Sequence, residues 1–167
     1  MNILIQGPPG IGKTTVIIKL SKLLKNLSGF YTEEMREKGK RVGFCVRSFQ
    51  GEKGILANQN YKGKYRVGKY RVNVEDFERV ALPALEKGLK ESTVLLIDEI
   101  GKMEMFSTKF REKVKSALES PLPVVATIPE KLTPQIKELL KDQKFRMVKI
   151  TTSNRDSLPL LILNLLS

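Results

Sequence analysis

Gly7-Pro8-Pro9-Gly10-Ile11-Gly12-Lys13-Thr14 spells a complete G-x-x-x-x-G-K-[ST] pattern, and its chemistry dictates the architecture on either side. Glycines permit a tight turn in which successive backbone N–H groups point into one concavity and cradle phosphate oxygens. Lys13 has the reach for the outer phosphates, and the Thr14 hydroxyl can ligate a Mg²⁺ bound to them. The flanks agree with this. Asn2-Ile3-Leu4-Ile5-Gln6 is an apolar run of strand length. From Thr14 to Asn26, Val16, Ile17, Leu20, Leu23 and Leu24 recur at a helical spacing that Leu27 continues. Strand, loop and helix in that order put a bound phosphate at a helix N-terminus, where the dipole and free N–H groups favour anions.

The complementary half of such a site lies far along the chain. Thr93-Val94-Leu95-Leu96-Ile97 is a continuous β-branched and Leu run, the pattern of a central strand covered on both faces. Asp98 and Glu99 follow at its C-terminal end, the edge at which open α/β sheets bind ligands. Asp98 is the candidate metal partner opposite Thr14. Glu99, one residue on, points differently and can orient and deprotonate a water for in-line attack on phosphate. The plainer alternative for the pair is a solvated strand-to-loop corner. Thr127 ends the next apolar run, Val124-Val125-Ala126-Thr127. It either contacts phosphate or the attacking water, or is a satisfied strand-end hydroxyl. In Gly101-Lys102-Met103-Glu104, Lys102 is placed to neutralise phosphate charge or to pair with Glu104.

Between these halves the chain reads as a meander. Phe30 to Glu34, Arg41 to Phe49 and Gly54 to Ala57 are strand-like and are separated by turns at Glu37-Lys38-Gly39-Lys40 and Gln50-Gly51-Glu52. Asn73 should cap a helix from Val74 to about Lys90, with Glu75 and Asp76 at its favourable end. Pro83 should kink or split that helix. Helices are expected at Ser107 to Ser120, at Pro134 to Asp142 behind a Thr133 cap, and at Asp156 to Leu166. Strands are expected at Pro123 to Ile128 and Phe145 to Thr151. Strands alternating with helices mean an α/β fold, a mainly parallel central sheet with helices on both faces, here with an antiparallel β meander inserted after the first helix.

The 167 residues are expected to form one domain, 1–167, with 41% apolar residues and a net charge of +12. No histidine is present and Cys45 is the only cysteine. Ser–His and Cys–His pairs, His-ligated zinc, multi-Cys metal sites and an internal disulfide are therefore excluded. Cys45 falls in an alternating run and reads as a small buried hydrophobe. The opening strand runs straight into the phosphate loop without a charged leader, and no apolar stretch approaches the roughly 20 residues of a membrane span. Both features predict a cytoplasmic chain that does not engage a membrane. The charge permits polyanion binding, most suggestively at Tyr61-Lys62-Gly63-Lys64-Tyr65-Arg66-Val67-Gly68-Lys69-Tyr70-Arg71. A strand pair or loop with a solvated Lys/Arg face is the preferred reading of that stretch, and nucleic-acid binding is the other.

An apolar strand ending in Asp-Glu is typical of NTP hydrolases of the RecA-like and AAA-type division, whereas simple nucleotide kinases lack the glutamate. Residues 7–14, Gly29-Phe30-Tyr31-Thr32-Glu33-Glu34, Val94 to Met105 and Asn154-Arg155-Asp156 together resemble the P-loop nucleoside-triphosphatase family with thermophilic and human cancer-related members. The resemblance implies the P-loop NTPase three-layer fold and Mg²⁺-dependent hydrolysis of nucleoside triphosphates with little base preference. It maps nucleotide binding onto Gly7, Pro8, Pro9, Gly10, Ile11, Gly12, Lys13 and Thr14, and onto Val94, Leu95, Leu96, Ile97, Asp98, Glu99, Ile100 and Gly101. In this reading Lys13 and Glu99 are catalytic and Thr14 and Asp98 hold the metal. Asn154-Arg155-Asp156 is a candidate wall for the base. Two other readings stand beside hydrolysis: a nucleoside or nucleotide kinase, and an NTP-dependent RNA- or DNA-binding switch. Fast transfer to water also calls for an arginine on the terminal phosphate. The candidates are Arg36, Arg47, Arg111 and Arg155, none in a motif that requires it there.

Overall fold

The structure, a computed structural model, describes residues 1–91 and 93–167. The strand that feeds the phosphate loop, β1 (Asn2–Gly7), is enclosed by two parallel neighbours, β8 (Val124–Pro129) and β9 (Arg146–Lys149). β8 pairs in parallel with β7 (Val94–Ile97), and β7 with β2 (Leu27–Glu37). Beyond β2 the direction alternates. β3 (Lys40–Ser48), β4 (Lys53–Asn58), β6 (Tyr70–Val72) and β5 (Arg66–Val67) extend the same sheet in antiparallel fashion. The order is β5-β6-β4-β3-β2-β7-β8-β1-β9.

The sheet is thus evenly mixed, where the sequence pattern suggested a mainly parallel sheet with an insertion. The physical reason is β2. Its first residues pair with β7 and the remainder with β3, so the meander begins inside the parallel sheet. Gly29 allows the join. It holds φ +123°, and a Cβ there would stand 1.8 Å from the Leu96 carbonyl oxygen. Gly29→Ala combines that clash with left-handed strain, and we expect it to cost at least about 3 kcal/mol or to prevent folding. Urea denaturation checks this; a midpoint equal to the wild type would contradict the close approach.

Helices cover both faces. α1 (Lys13–Leu23) and α5 (Leu158–Leu166) pack over a core of Ile3, Ile5, Val16, Ile17, Leu20 and Leu96. On the other face α2 (Val74–Glu91), α3 (Thr108–Glu119) and α4 (Pro134–Leu140) enclose a larger core centred on Phe30, Phe77 and Phe110. Those three rings meet edge to face at centroid distances of 5.1 to 5.8 Å. The expected caps form: Asn73 Oδ1 accepts from Asp76 N, Ser107 Oγ from Phe110 N and Thr133 Oγ1 from Ile136 N. Cys45 is buried and free. No helix among the described residues is long and apolar enough to cross a membrane.

Some boundaries differ from the sequence pattern. α1 stops at Leu23, and Leu27 opens β2 instead of continuing the helical spacing. Pro83 does not split α2, which runs unbroken over 18 residues. Its buried face of Phe77, Val80, Ala81, Ala84, Leu85 and Gly88 supplies packing that outweighs the one hydrogen bond a proline removes. The last helix starts at Leu158, because residues 152–157 form turns.

Candidate active site

Because β8 lies between β1 and β7, three strand ends and the phosphate loop converge on one edge of the sheet. The loop turns through Gly10 at φ +77° and Gly12 at φ +117°, conformations that favour glycine. Gly12 is the N-cap of α1 and contributes no capping side chain, which leaves the first-turn N–H groups facing outward. A Gly12 Cβ would also stand 3.5 Å from Arg155 Cδ.

Lys13 folds back along the loop and is only 8% exposed. Its Nζ donates to the Gly7 carbonyl at 2.5 Å and the Ile128 carbonyl at 3.3 Å, and pairs with Glu99 Oε2 at 2.9 Å. The ammonium is therefore fixed between the loop and the Asp-Glu corner. Asp98 is 2% exposed and anchored through both oxygens. Oδ2 accepts from Thr14 Oγ1 at 2.6 Å, and Oδ1 accepts from Thr127 Oγ1 at 2.6 Å. The Thr32 N–H also donates to Oδ2 at 3.4 Å, so β2 contributes as well. Asp98 and Glu99 diverge: one meets the two threonines, the other Lys13.

Burial raises the Asp98 pKa to about 6. Hydrogen bonds from Thr127 and Thr14 oppose that rise, and the neighbouring Glu99 charge adds to it. Glu104 is buried too, and desolvation with the Glu99 charge beside it lifts its carboxyl well above the usual range. Gly101 sits between these two glutamates; a Cβ there would lie 2.5 Å from Glu99 Oε1 and 2.9 Å from Glu104 Oε1.

Several sequence candidates take other roles. Leu95, Leu96, Ile97 and Ile100 are wholly enclosed and Val94 is partly so. Their side chains pack the core and deliver Asp98 and Glu99 to the edge. Thr127 does not end its strand, since β8 continues to Pro129; its hydroxyl is satisfied by the Asp98 carboxylate. Lys102 is exposed and forms no ion pair with the buried Glu104. The Asn154 side chain ties the turn after β9: its Oδ1 accepts from Thr151 N and its Nδ2 donates to the Lys149 carbonyl. Arg155 reaches the loop and donates from Nη1 to the Ile11 carbonyl at 3.1 Å. Nothing in the sequence around Arg155 signalled that contact, which spans 144 positions. Arg36 and Arg47 are paired with Glu34 and Glu33 on the meander, and Arg111 bonds Thr108 on α3.

Two hollows flank these elements. One of about 200 Å³ beside the loop is lined by Gly7, Pro8, Lys149, Ile150 and Thr151 among others. The larger, about 550 Å³, lies between α3 and α4; it is lined by Arg111 but by no residue of the phosphate loop or the Asp-Glu corner. Chemistry and not size places the site at the loop.

A family model described as NTPase matches residues 2–163. The nucleoside-triphosphatase THEP1 of Thermotoga sp. strain RQ2 is 48% identical over 158 residues, spanning 95% of this chain and 91% of its own. The crystal structure of THEP1 from the hyperthermophile Aquifex aeolicus superposes with a TM-score of 0.91 at 40% identity, covering 100% of this chain and 99% of that one. The solution structure of a human cancer-related nucleoside triphosphatase gives 0.83 at 37% identity, with coverage of 99% and 97%. This chain belongs to the nucleoside-triphosphatase family.

Proposed function

We propose that this NTPase hydrolyses nucleoside 5'-triphosphates to the diphosphate and phosphate with Mg²⁺ as cofactor, within one P-loop domain of the RecA-like division. The observation that carries this reading is the convergence of Lys13, Thr14, Asp98 and Glu99 at one sheet edge, with Thr14 Oγ1 2.6 Å from Asp98 and Lys13 Nζ 2.9 Å from Glu99. The loop N–H groups and Lys13 hold and neutralise the phosphates. Glu99, 24% exposed at its side chain, can take a proton from water. Phosphoryl transfer requires little beyond this positioning and charge compensation.

The donor set suits the metal. Thr14 and Asp98 offer hard oxygens, and no group of three or more His, Cys, Asp or Glu able to hold a metal occurs among the described residues. Two hard-oxygen side chains suffice where one or two protein ligands share Mg²⁺ with the substrate's phosphates. When bound, Mg²⁺ supplies positive charge against the developing phosphate charge.

Glu99 separates hydrolysis from the kinase reading. Consumption of ATP with Mg²⁺ and no acceptor supports hydrolysis, and a strict requirement for a nucleoside or nucleotide acceptor would replace it with a kinase. Base preference should be weak among ATP, GTP, CTP and UTP, because the identified groups address phosphate and metal and the Asn154 side chain is committed to its own turn. We expect kcat/KM values within about a hundredfold of one another, equivalent to about 2.7 kcal/mol. A wider spread would require a base pocket.

A further inference from the structure

Most of the net charge is concentrated in one part of the sheet. Arg36 to Arg71 contains eleven Lys and Arg against two acidic residues, Glu37 and Glu52, which is +9 of the total +12. These residues form β3, β4, β5, β6 and the last two positions of β2; Glu33 and Glu34, which precede them on β2 and face β3, bring the antiparallel half of the sheet to +7. The fold gathers the charges. Arg41 from β3 and Lys69 from the β5–β6 turn both approach the Tyr70 ring, 5.6 and 5.5 Å from its centroid, and Arg41 Nε donates to the Tyr70 hydroxyl at 2.8 Å.

At the sheet edge Arg66 lies directly across from Arg71, a like-charge pair that weakens a hairpin. No carboxylate relieves it among the described residues. Arg66 Nε donates to the Gly68 carbonyl and Arg71 Nη1 to the Gly63 carbonyl, each at 2.8 Å. Charged edges also discourage strand addition. That accounts for Arg66 and Lys69, and Glu33 and Glu34 pair with Arg47, Arg36 and Arg41, but neither accounts for Lys38 and Lys40 at the β2–β3 turn or for Lys62 and Lys64 ahead of β5. A phosphate-bearing partner accounts for both.

The interleaved tyrosines decide what form of partner fits. Tyr70 is buried, and Tyr65 stacks on Phe106 at a centroid distance of 4.8 Å. Tyr61 is exposed, but its ring edge rests on Gly63. Successive bases of a single strand would need free aromatic faces to stack on, and this surface presents no such series. A duplex, with its bases already stacked and its phosphates outward, requires only the charges.

We propose that the antiparallel half of the sheet binds double-stranded nucleic acid through its phosphate backbone, without sequence preference. Fluorescence anisotropy of the full chain with a labelled 20-base-pair duplex tests this. Engagement of about six Lys and Arg predicts a slope near −5 in log K against log salt, roughly a thousandfold loss between 50 and 200 mM. The variant Lys64→Glu/Arg66→Glu/Lys69→Glu should bind about a hundredfold more weakly at 50 mM salt. Lys109→Glu/Lys115→Glu/Lys141→Glu changes net charge equally but lies on and beside α3 and α4; it should stay within about threefold of the wild type. Unchanged NTP turnover in both variants reports an intact fold, and the wild-type salt slope tests the proposal without any variant. Equal loss in the two variants, absence of duplex binding at 50 mM salt, tighter binding of the single strand, or capture by phosphatidylserine vesicles but not by duplex would each overturn it.

Discussion

Glu99→Gln should bind nucleoside triphosphate at least as well as the wild type and turn it over about 10²–10⁴ times more slowly, the contribution of a positioned general base. The amide keeps the shape of the side chain but cannot accept the proton. It also removes the carboxylate that holds Lys13 at 2.9 Å, so the ammonium is freer for phosphate. Asp98→Asn should behave differently. Both Asp98 oxygens accept hydroxyls, from Thr14 and Thr127, and an amide NH₂ would set donor against donor on one side while removing the charge. The expected result is a raised Mg²⁺ requirement. Mg²⁺ titrations of the two variants check this, and coincident curves would defeat the separate roles.

Lys13→Ala should lose about a hundred- to a thousandfold in rate, the typical effect of deleting one positioned electrostatic donor. Lys13 is the cation enclosed within the site, braced by the Gly7 and Ile128 carbonyls. Alanine also leaves Glu99 without its ion-pair partner, beside the buried Asp98 and Glu104, so triphosphate binding should weaken as well. Hydrolysis at the wild-type rate under saturating Mg²⁺, in a variant with an unchanged thermal melt, would refute the phosphate-loop assignment.

Local chemistry made the core of this arrangement legible. Residues 7–14 specify their own turn, and a fully apolar strand followed by Asp-Glu specifies its place in a sheet. Caps were readable for the same reason, since Asn73, Ser107 and Thr133 act within three residues of themselves. What escaped the sequence depends on distant partners. The register that makes β2 serve both halves of the sheet rests on Gly29 meeting Leu96. Pro83 is tolerated because of the surfaces α2 packs against. The Arg155 contact with Ile11, the Thr127 grip on Asp98 and the burial of Glu104 are likewise tertiary. Tyr70 is part of the core and Tyr65 packs against it, a placement that the basic stretch around them does not signal.

The way Asp98 is held also bears on how the protein is made. Thr14 and Asp98 are 84 positions apart, and Lys13 and Ile128 are 115 apart. A ribosome adding about 5–20 residues per second therefore exposes the phosphate loop several seconds before its carboxylate partner exists. β1 itself waits longer still, since both of its neighbours, β8 and β9, lie in the last third of the chain. A nascent chain has no competent nucleotide site until its C-terminal strands have emerged. Products stalled before β8 and β9 are therefore expected to hold nucleotide poorly, because the strand that carries the phosphate loop still lacks both of its neighbours.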